Sequence, residues 1–203
     1  MSFSDEQISD VVQTVGGSIV SLQKAIDMGA SALWYGTKLG WPVFPLKARG
    51  KTPLTNRGFK DASCDKDVIE AWWRRHPDAN IGVPTGPKTH GGCGLDVLDI
   101  DGVEGMEAWA ALRHRDCPEG CSDEEFCPAP GPFDIVARAF TPGDGVDRAP
   151  GRHLYMPATG KGNGVKMFGQ SFDWRGVGGY VVVPPSVGLS GVRYSWITRA
   201  VAS

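Results

Sequence analysis

Gly94-Leu95-Asp96-Val97-Leu98-Asp99-Ile100-Asp101-Gly102 is the stretch that organises this chain. Apolar residues bounded by glycines read as a short strand. Alternate side chains on a strand share a face. Asp99 and Asp101 therefore project to one side, while Leu98 and Ile100 point the other way into apolar packing. Two carboxylates on one face repel and raise each other's pKa. A divalent cation between them removes that conflict, and oxygen-only ligands suit Mg²⁺ or Mn²⁺. A plainer role competes with this one: Asp101-Gly102 can simply open the loop that follows the strand.

Upstream of this strand the sequence reads mainly as helices. Ser4 can cap a first helix, with Gln7 at the capping-box position. A second helix is predicted over about residues 19–38, because Leu22, Ala25, Ile26, Ala30, Leu33 and Trp34 recur at helical spacing. Gly40 stops it, and residues 41–46 read as a strand with edge prolines. A third helix follows Ser63 or Asp65 and carries Trp72 and Trp73, which suit a core better than a base-stacking platform. Asn80 to Pro84 is a strand.

Downstream, Glu104 to Arg113 can form a short helix, and residues 114–132 form a polar, Cys-bearing insertion. Short strands are predicted over 133–140, 152–156, 165–168, 172–175 and 179–183. Helices lead and strands then dominate. The prediction is one α+β domain over 1–203 with a mixed or antiparallel sheet, residues 1–38 being its N-terminal helices.

Composition narrows the function classes. The 203 residues are 41% hydrophobic and 22% charged, which fits a globular chain rather than a disordered tail or a coiled coil. A chain of this length hides about 70% of its unfolded surface. The net charge of −2 argues against bulk electrostatic coating of nucleic acid. A local patch is present all the same: Lys47, Arg49, Lys51, Arg57 and Lys60 occur with no acid between positions 47 and 60. It reads as a solvated loop or as a phosphate-contacting surface. The start has no basic segment followed by an apolar one, and no run approaches the roughly 20 apolar residues of a membrane span. The expected compartment is the cytoplasm, where thiols stay reduced.

Three further features carry chemistry. Asp173, in Phe172-Asp173-Trp174-Arg175, supplies a third acid on a second strand. Three such acids can hold two metals roughly 3.5–4 Å apart, the arrangement used for in-line phosphoryl transfer. In Gly151-Arg152-His153-Leu154-Tyr155, Arg152 and His153 face opposite sides of a strand, and Gly151 would let the backbone approach an anion. His153 can then donate to a phosphate oxygen. Finally, His114, Cys117, Cys121 and Cys127 offer one imidazole and three thiolates to a tetrahedral Zn²⁺. Free reduced thiols are the alternative, and Cys93 can substitute for His114.

In order and spacing, these runs resemble the N-terminal catalytic domain of bifunctional DNA primase/polymerases, in the archaeo-eukaryotic primase superfamily, common on phages and plasmids. The similarity spans about Ala32 to Trp196. It rests on Gly-Trp-Pro-Val-Phe-Pro-Leu at 40–46, Lys51 with Pro53, the Asp-x-Asp-Gly run ending at Gly102, Gly151 to Tyr155, and Asp173 to Gly176. The most specific part is the run from Gly178 to Ser186. The chain departs from the family in carrying Ala149-Pro150 before Gly151, where a small hydroxyl or a second glycine is usual.

The resemblance implies a primase-polymerase fold with an RRM-like catalytic sheet packed beside an N-terminal α/β unit. It implies Asp99, Asp101 and Asp173 as Mg²⁺ or Mn²⁺ ligands. His153 would contact the triphosphate, with Arg152 or Arg175 nearby and Lys51 contacting triphosphate or template. It also implies a zinc-binding element between the first and second motifs. The expected activity is template-dependent nucleotidyl transfer in replication, as DNA primase and DNA polymerase. The expected partners are NTPs or dNTPs, a single-stranded DNA template and primer, and a replicative helicase on a separate chain. Two rivals are a non-catalytic module that binds single-stranded DNA or a helicase, and a metal-dependent phosphodiesterase.

Overall fold

A computed structural model of the chain describes residues 12–15, 18–21, 27–88, 93–114, 134–166 and 172–198. Strands β1 (Val12–Val15) and β2 (Ser18–Ser21) pair antiparallel, with Val15 opposite Ser18. The sequence reading placed a helix there from about residue 19. The difference has a local cause: β-branched Val12, Thr14, Val15, Ile19 and Val20 flank Gly16-Gly17, a two-residue hairpin sequence. Helix α1 (Met28–Lys38) starts only where Asp27 Oδ1 accepts the Ala30 N–H at 3.1 Å. The helix predicted after Ser4 lies outside the described residues.

The face that α1 buries also differs from the predicted one. Met28, Ala32, Tyr35 and Gly36 are buried, whereas Ala30 and Trp34 are exposed. Gly36 lies on this buried face: a Cβ there would come 2.6 Å from Ile69 Cδ1 and make the Ile69 side chain shift. The next helix, α2 (Lys66–Arg75), is capped by Asp65, whose Oδ1 accepts the Asp67 and Val68 N–H groups at 2.8 and 3.1 Å. Trp73 is buried and donates its indole N–H to Ala79 O, and Trp72 packs against the same cluster. The tryptophan pair is core.

Strands β3 (Phe44–Leu46), β4 (Asn80–Pro84) and β9 (Tyr180–Val183) form a three-stranded antiparallel sheet in the order β3-β4-β9. Together with α1 and α2 it is the N-terminal α/β unit, completed by a strand from far along the chain. The larger sheet contains β5 (Leu95–Ile100), β6 (Ala137–Thr141), β7 (Gly151–Pro157), β8 (Phe172–Arg175) and β10 (Ser195–Thr198). Its order is β10-β6-β7-β5-β8 and every pairing is antiparallel. Helix α3 (Gly102–His114) connects β5 to the segment before β6. The chain order β5-α3-β6-β7 gives the β-α-β-β half of a split βαβ pattern, as an RRM-like sheet requires. Of the strand predicted over 165–168, Val165 and Lys166 form a bend and the rest lies outside the described residues.

Alternation then distributes the core. Leu98, Ile100, Leu154, Phe172 and Trp174 face α3 and pack with its Trp109. The opposite face of the large sheet, with Val97, Tyr155 and Ala139, meets α1, α2 and the small sheet. An aromatic stack ties the two units: Trp41 lies 5.8 Å from Tyr35 and 5.9 Å from Tyr155, nearly parallel to both. Each such contact adds about 0.5–1.5 kcal/mol beyond burial of its area. No helix among the described residues is long and apolar enough to cross a membrane.

Candidate functional site

The functional side chains share one row across the large sheet. Asp99 on β5 stands opposite His153 on β7 and Asp173 on β8. Ala139 on β6 stands opposite His153 on its other side, and Trp196 on β10 follows. A small residue beside His153 leaves room for the imidazole. In the neighbouring row, Tyr155, Val97 and Arg175 stand side by side. Period-2 alternation therefore puts Asp99, Asp173, His153 and Arg175 on one face.

Asp99 and His153 are both buried, 6% and 4% exposed. His153 Nε2 is 3.3 Å from Asp99 Oδ1. Arg175 Nη2 is 2.9 Å from Asp173 Oδ2 and 3.5 Å from Asp99 Oδ2. Burial alone would push the Asp99 carboxyl up. The charges of His153, Lys51 and Arg175 outweigh burial and hold it at about 2. The Tyr155 hydroxyl is 3.5 Å from His153 Nδ1 and is kept protonated by complete burial.

Asp101 does not continue the strand. β5 ends at Ile100, and Gly102 turns the chain into α3 with φ +67. The Asp101 side chain is half-exposed, with Arg148 Nη1 at 3.8 Å. Its carboxyl is pushed above its ordinary value by partial burial and then by the charges of Asp99 and Asp173, against Arg148 and Lys51. The three acids thus share one electrostatic neighbourhood, although only two share the strand face. The other acid of the strand, Asp96, faces the other way and accepts the Thr159 N–H and hydroxyl at 2.8 and 2.7 Å.

A cavity of about 250 Å³ opens beside the row, lined by Lys51, Asp99, His153, Asn163, Arg175 and Tyr180 among others. Lys51 reaches it from the loop after β3, where its carbonyl accepts the Tyr180 hydroxyl at 2.9 Å. Asn163 shapes the rim by accepting the Gly176 N–H at 3.0 Å. Arg148 and Asn163 sit in no spacing that signals chemistry, and Tyr180, although part of the Gly178–Ser186 run, carries no role that the sequence alone assigns. Arg152 is not at the cavity. It lies on the α3 face of β7, with its guanidinium 5.7 Å from the Phe140 ring centre. Of the two arginines named from the sequence, only Arg175 lines this cavity.

The donors fit a hard divalent cation in kind, being carboxylate oxygens whose mutual repulsion such an ion relieves. Their arrangement holds protein cations instead. Among the described residues, no three His, Cys, Asp or Glu side chains gather around one point. For the cysteine set, His114 is the last residue of α3, and Cys117, Cys121 and Cys127 lie outside the described residues. Cys93 is buried with its thiol 3.1 Å from Pro84 O, and burial pushes that thiol up to about 12. Cys64 is exposed. Alkylation of the folded chain at pH 8 should modify Cys64 and spare Cys93 in peptide mass spectra; equal labelling would contradict this packing.

A family model described as the N-terminal part of bifunctional DNA primase/polymerases matches residues 32–203. No curated protein matches the chain.

Proposed function

The chain belongs to the bifunctional DNA primase/polymerase N-terminal family, and on that premise we propose that it is a template-dependent nucleotidyltransferase. It would join an NTP or dNTP to a second nucleotide or to a primer 3′-hydroxyl on single-stranded DNA, releasing pyrophosphate. The observation that carries this reading is the register of Asp99 with both His153 and Asp173, beside a cavity that Lys51 and Arg175 also line.

Phosphoryl transfer leaves little covalent work to a protein, so positioning and charge neutralisation are the tasks to be assigned. Lys51, Arg175 and His153 would bind the triphosphate and orient its α-phosphorus. Arg175 suits this by its planar fork, which matches phosphate oxygens. The buried Tyr155 would fix the His153 ring. Asp99, Asp101 and Asp173 would hold Mg²⁺ or Mn²⁺. The chemistry that such cations would supply there is activation of the attacking hydroxyl and neutralisation of the leaving group. His114, Cys117, Cys121 and Cys127 are proposed as a structural zinc set, and a helicase on another chain as a partner.

The deciding assay incubates the chain with template, Mn²⁺ and labelled NTPs or dNTPs, with and without primer. Template-dependent product is expected. DNA loss without added nucleotide would favour a phosphodiesterase, and binding of DNA with neither product nor loss would favour the non-catalytic module.

A further inference from the structure

We propose that Arg175 is an exchangeable counter-ion, whose transfer from carboxylate to phosphate couples cation binding to nucleotide binding. The proposal rests on the nucleotide-binding reading above. One guanidinium nitrogen, Nη2, lies against acids from two adjacent strands, 2.9 Å from Asp173 Oδ2 and 3.5 Å from Asp99 Oδ2. The other Asp99 oxygen faces His153 at 3.3 Å, and Asp101 faces Arg148 at 3.8 Å. Each of the three acids therefore already has a protein cation beside it. A divalent ion shared by Asp99 and Asp173 needs the oxygens that Arg175 Nη2 faces, and two positive charges cannot share them closely.

Arg175 also has somewhere to go. Its side chain is about one-third exposed, 32%, and it lines the cavity that Lys51 also lines. A triphosphate in that cavity offers the guanidinium a doubly hydrogen-bonded anionic partner. Once Arg175 turns to it, Asp99 and Asp173 each gain an oxygen for a cation. Each ligand then strengthens the other, and linkage makes the effect reciprocal. His153 does not serve this purpose, because its ring is buried and in contact with Tyr155.

The coupling gives one residue opposite effects on two ligands. Mn²⁺ binding to the full chain without nucleotide is measured by the loss of the free-ion electron paramagnetic signal. Arg175→Gln should tighten it by about tenfold, within the usual range of coupling factors. Lys51→Gln removes equal charge from the same cavity but leaves the Arg175 contacts to Asp99 and Asp173 in place, so its gain, which comes only from losing the Lys51 charge near Asp99, should be clearly smaller than that of Arg175→Gln. Binding of a nucleoside triphosphate in excess EDTA, by calorimetry, should weaken about tenfold in Arg175→Gln. Loss of the bridging cation can destabilise this variant, so melting is followed in parallel. Mn²⁺ should raise its melting temperature more than that of the wild type. Arg175→Lys, which keeps the charge on a narrower head group, should fall between the two.

Unchanged or weaker Mn²⁺ binding by Arg175→Gln, or equal tightening by Lys51→Gln, overturns the proposal. If the wild type still extends a primer in that case, the polymerase reading stands. A wild type that neither binds a nucleoside triphosphate nor extends a primer overturns that reading itself.

Discussion

Asp99→Ala should reduce primer extension by about a thousandfold or more while leaving the fold intact. That is the scale of removing a group that organises transition-state charge. Among the described residues, Asp99 is the only acid in contact with both His153 and Arg175, at 3.3 and 3.5 Å. It is also the central member of the row, so its loss separates His153 from Asp173. Stability should survive because Arg175 keeps Asp173 at 2.9 Å, and the new space joins a cavity already open to water. Asp99→Asn, which keeps the volume and removes the charge, should be equally inactive. The check is extension of a labelled primer with Mn²⁺ and dNTPs, beside a circular dichroism spectrum. Normal extension by either variant would sink the assignment of this site.

Gly151→Ala should cost about 3 kcal/mol, at the upper end of overpacking effects, because the obstacle is backbone. In the sequence, Gly151 looked like a means of bringing backbone close to an anion. The structure gives it another duty. A Cβ at this position would run into the Ile100 carbonyl oxygen and lie 3.2 Å from Thr141 Oγ1. Neither strand can yield alone, since Gly151 opens β7, and β7 pairs with both β5 and β6. For a chain of this size the melting temperature should fall by roughly 6–12 °C. Extension should fall as well, because any displacement of β7 carries His153 away from Asp99. A melting temperature within a degree of wild type would mean that β7 does not abut Ile100 in solution.

What could be read beforehand follows from how far each signal reaches along the chain. Period-2 alternation put Asp99 on one side and Leu98 and Ile100 on the other, and correctly split Arg152 from His153. It failed at Asp101, because Gly102 takes a positive φ and ends the strand one residue earlier. Register was not legible. Nothing in the spacing says that Asp99 stands opposite both His153 and Asp173, since each pairing joins distant segments. Helical spacing misled at the N-terminus, where residues 12–15 and 18–21 pair as strands and α1 turns a different face inward. The bridging role of Arg175 was equally hidden. It depends on two side chains from neighbouring strands meeting one nitrogen, and sequence order does not encode that meeting.

The small sheet has a consequence for how the protein is made. Its third strand, β9, lies near the far end of the chain, and so does the Pro184 carbonyl that accepts the Tyr35 hydroxyl. A nascent chain on the ribosome that has released everything up to β7 still lacks β8 and β9. At that stage β4 and β5 each have an open edge, and Asp99 has no Asp173 beside it. Open edges and long-range pairing make for slow, aggregation-exposed folding. The acidic cluster is therefore completed only once β8 has emerged behind the rest of the large sheet's centre, and the nascent chain depends until then on whatever shields its unpaired strands.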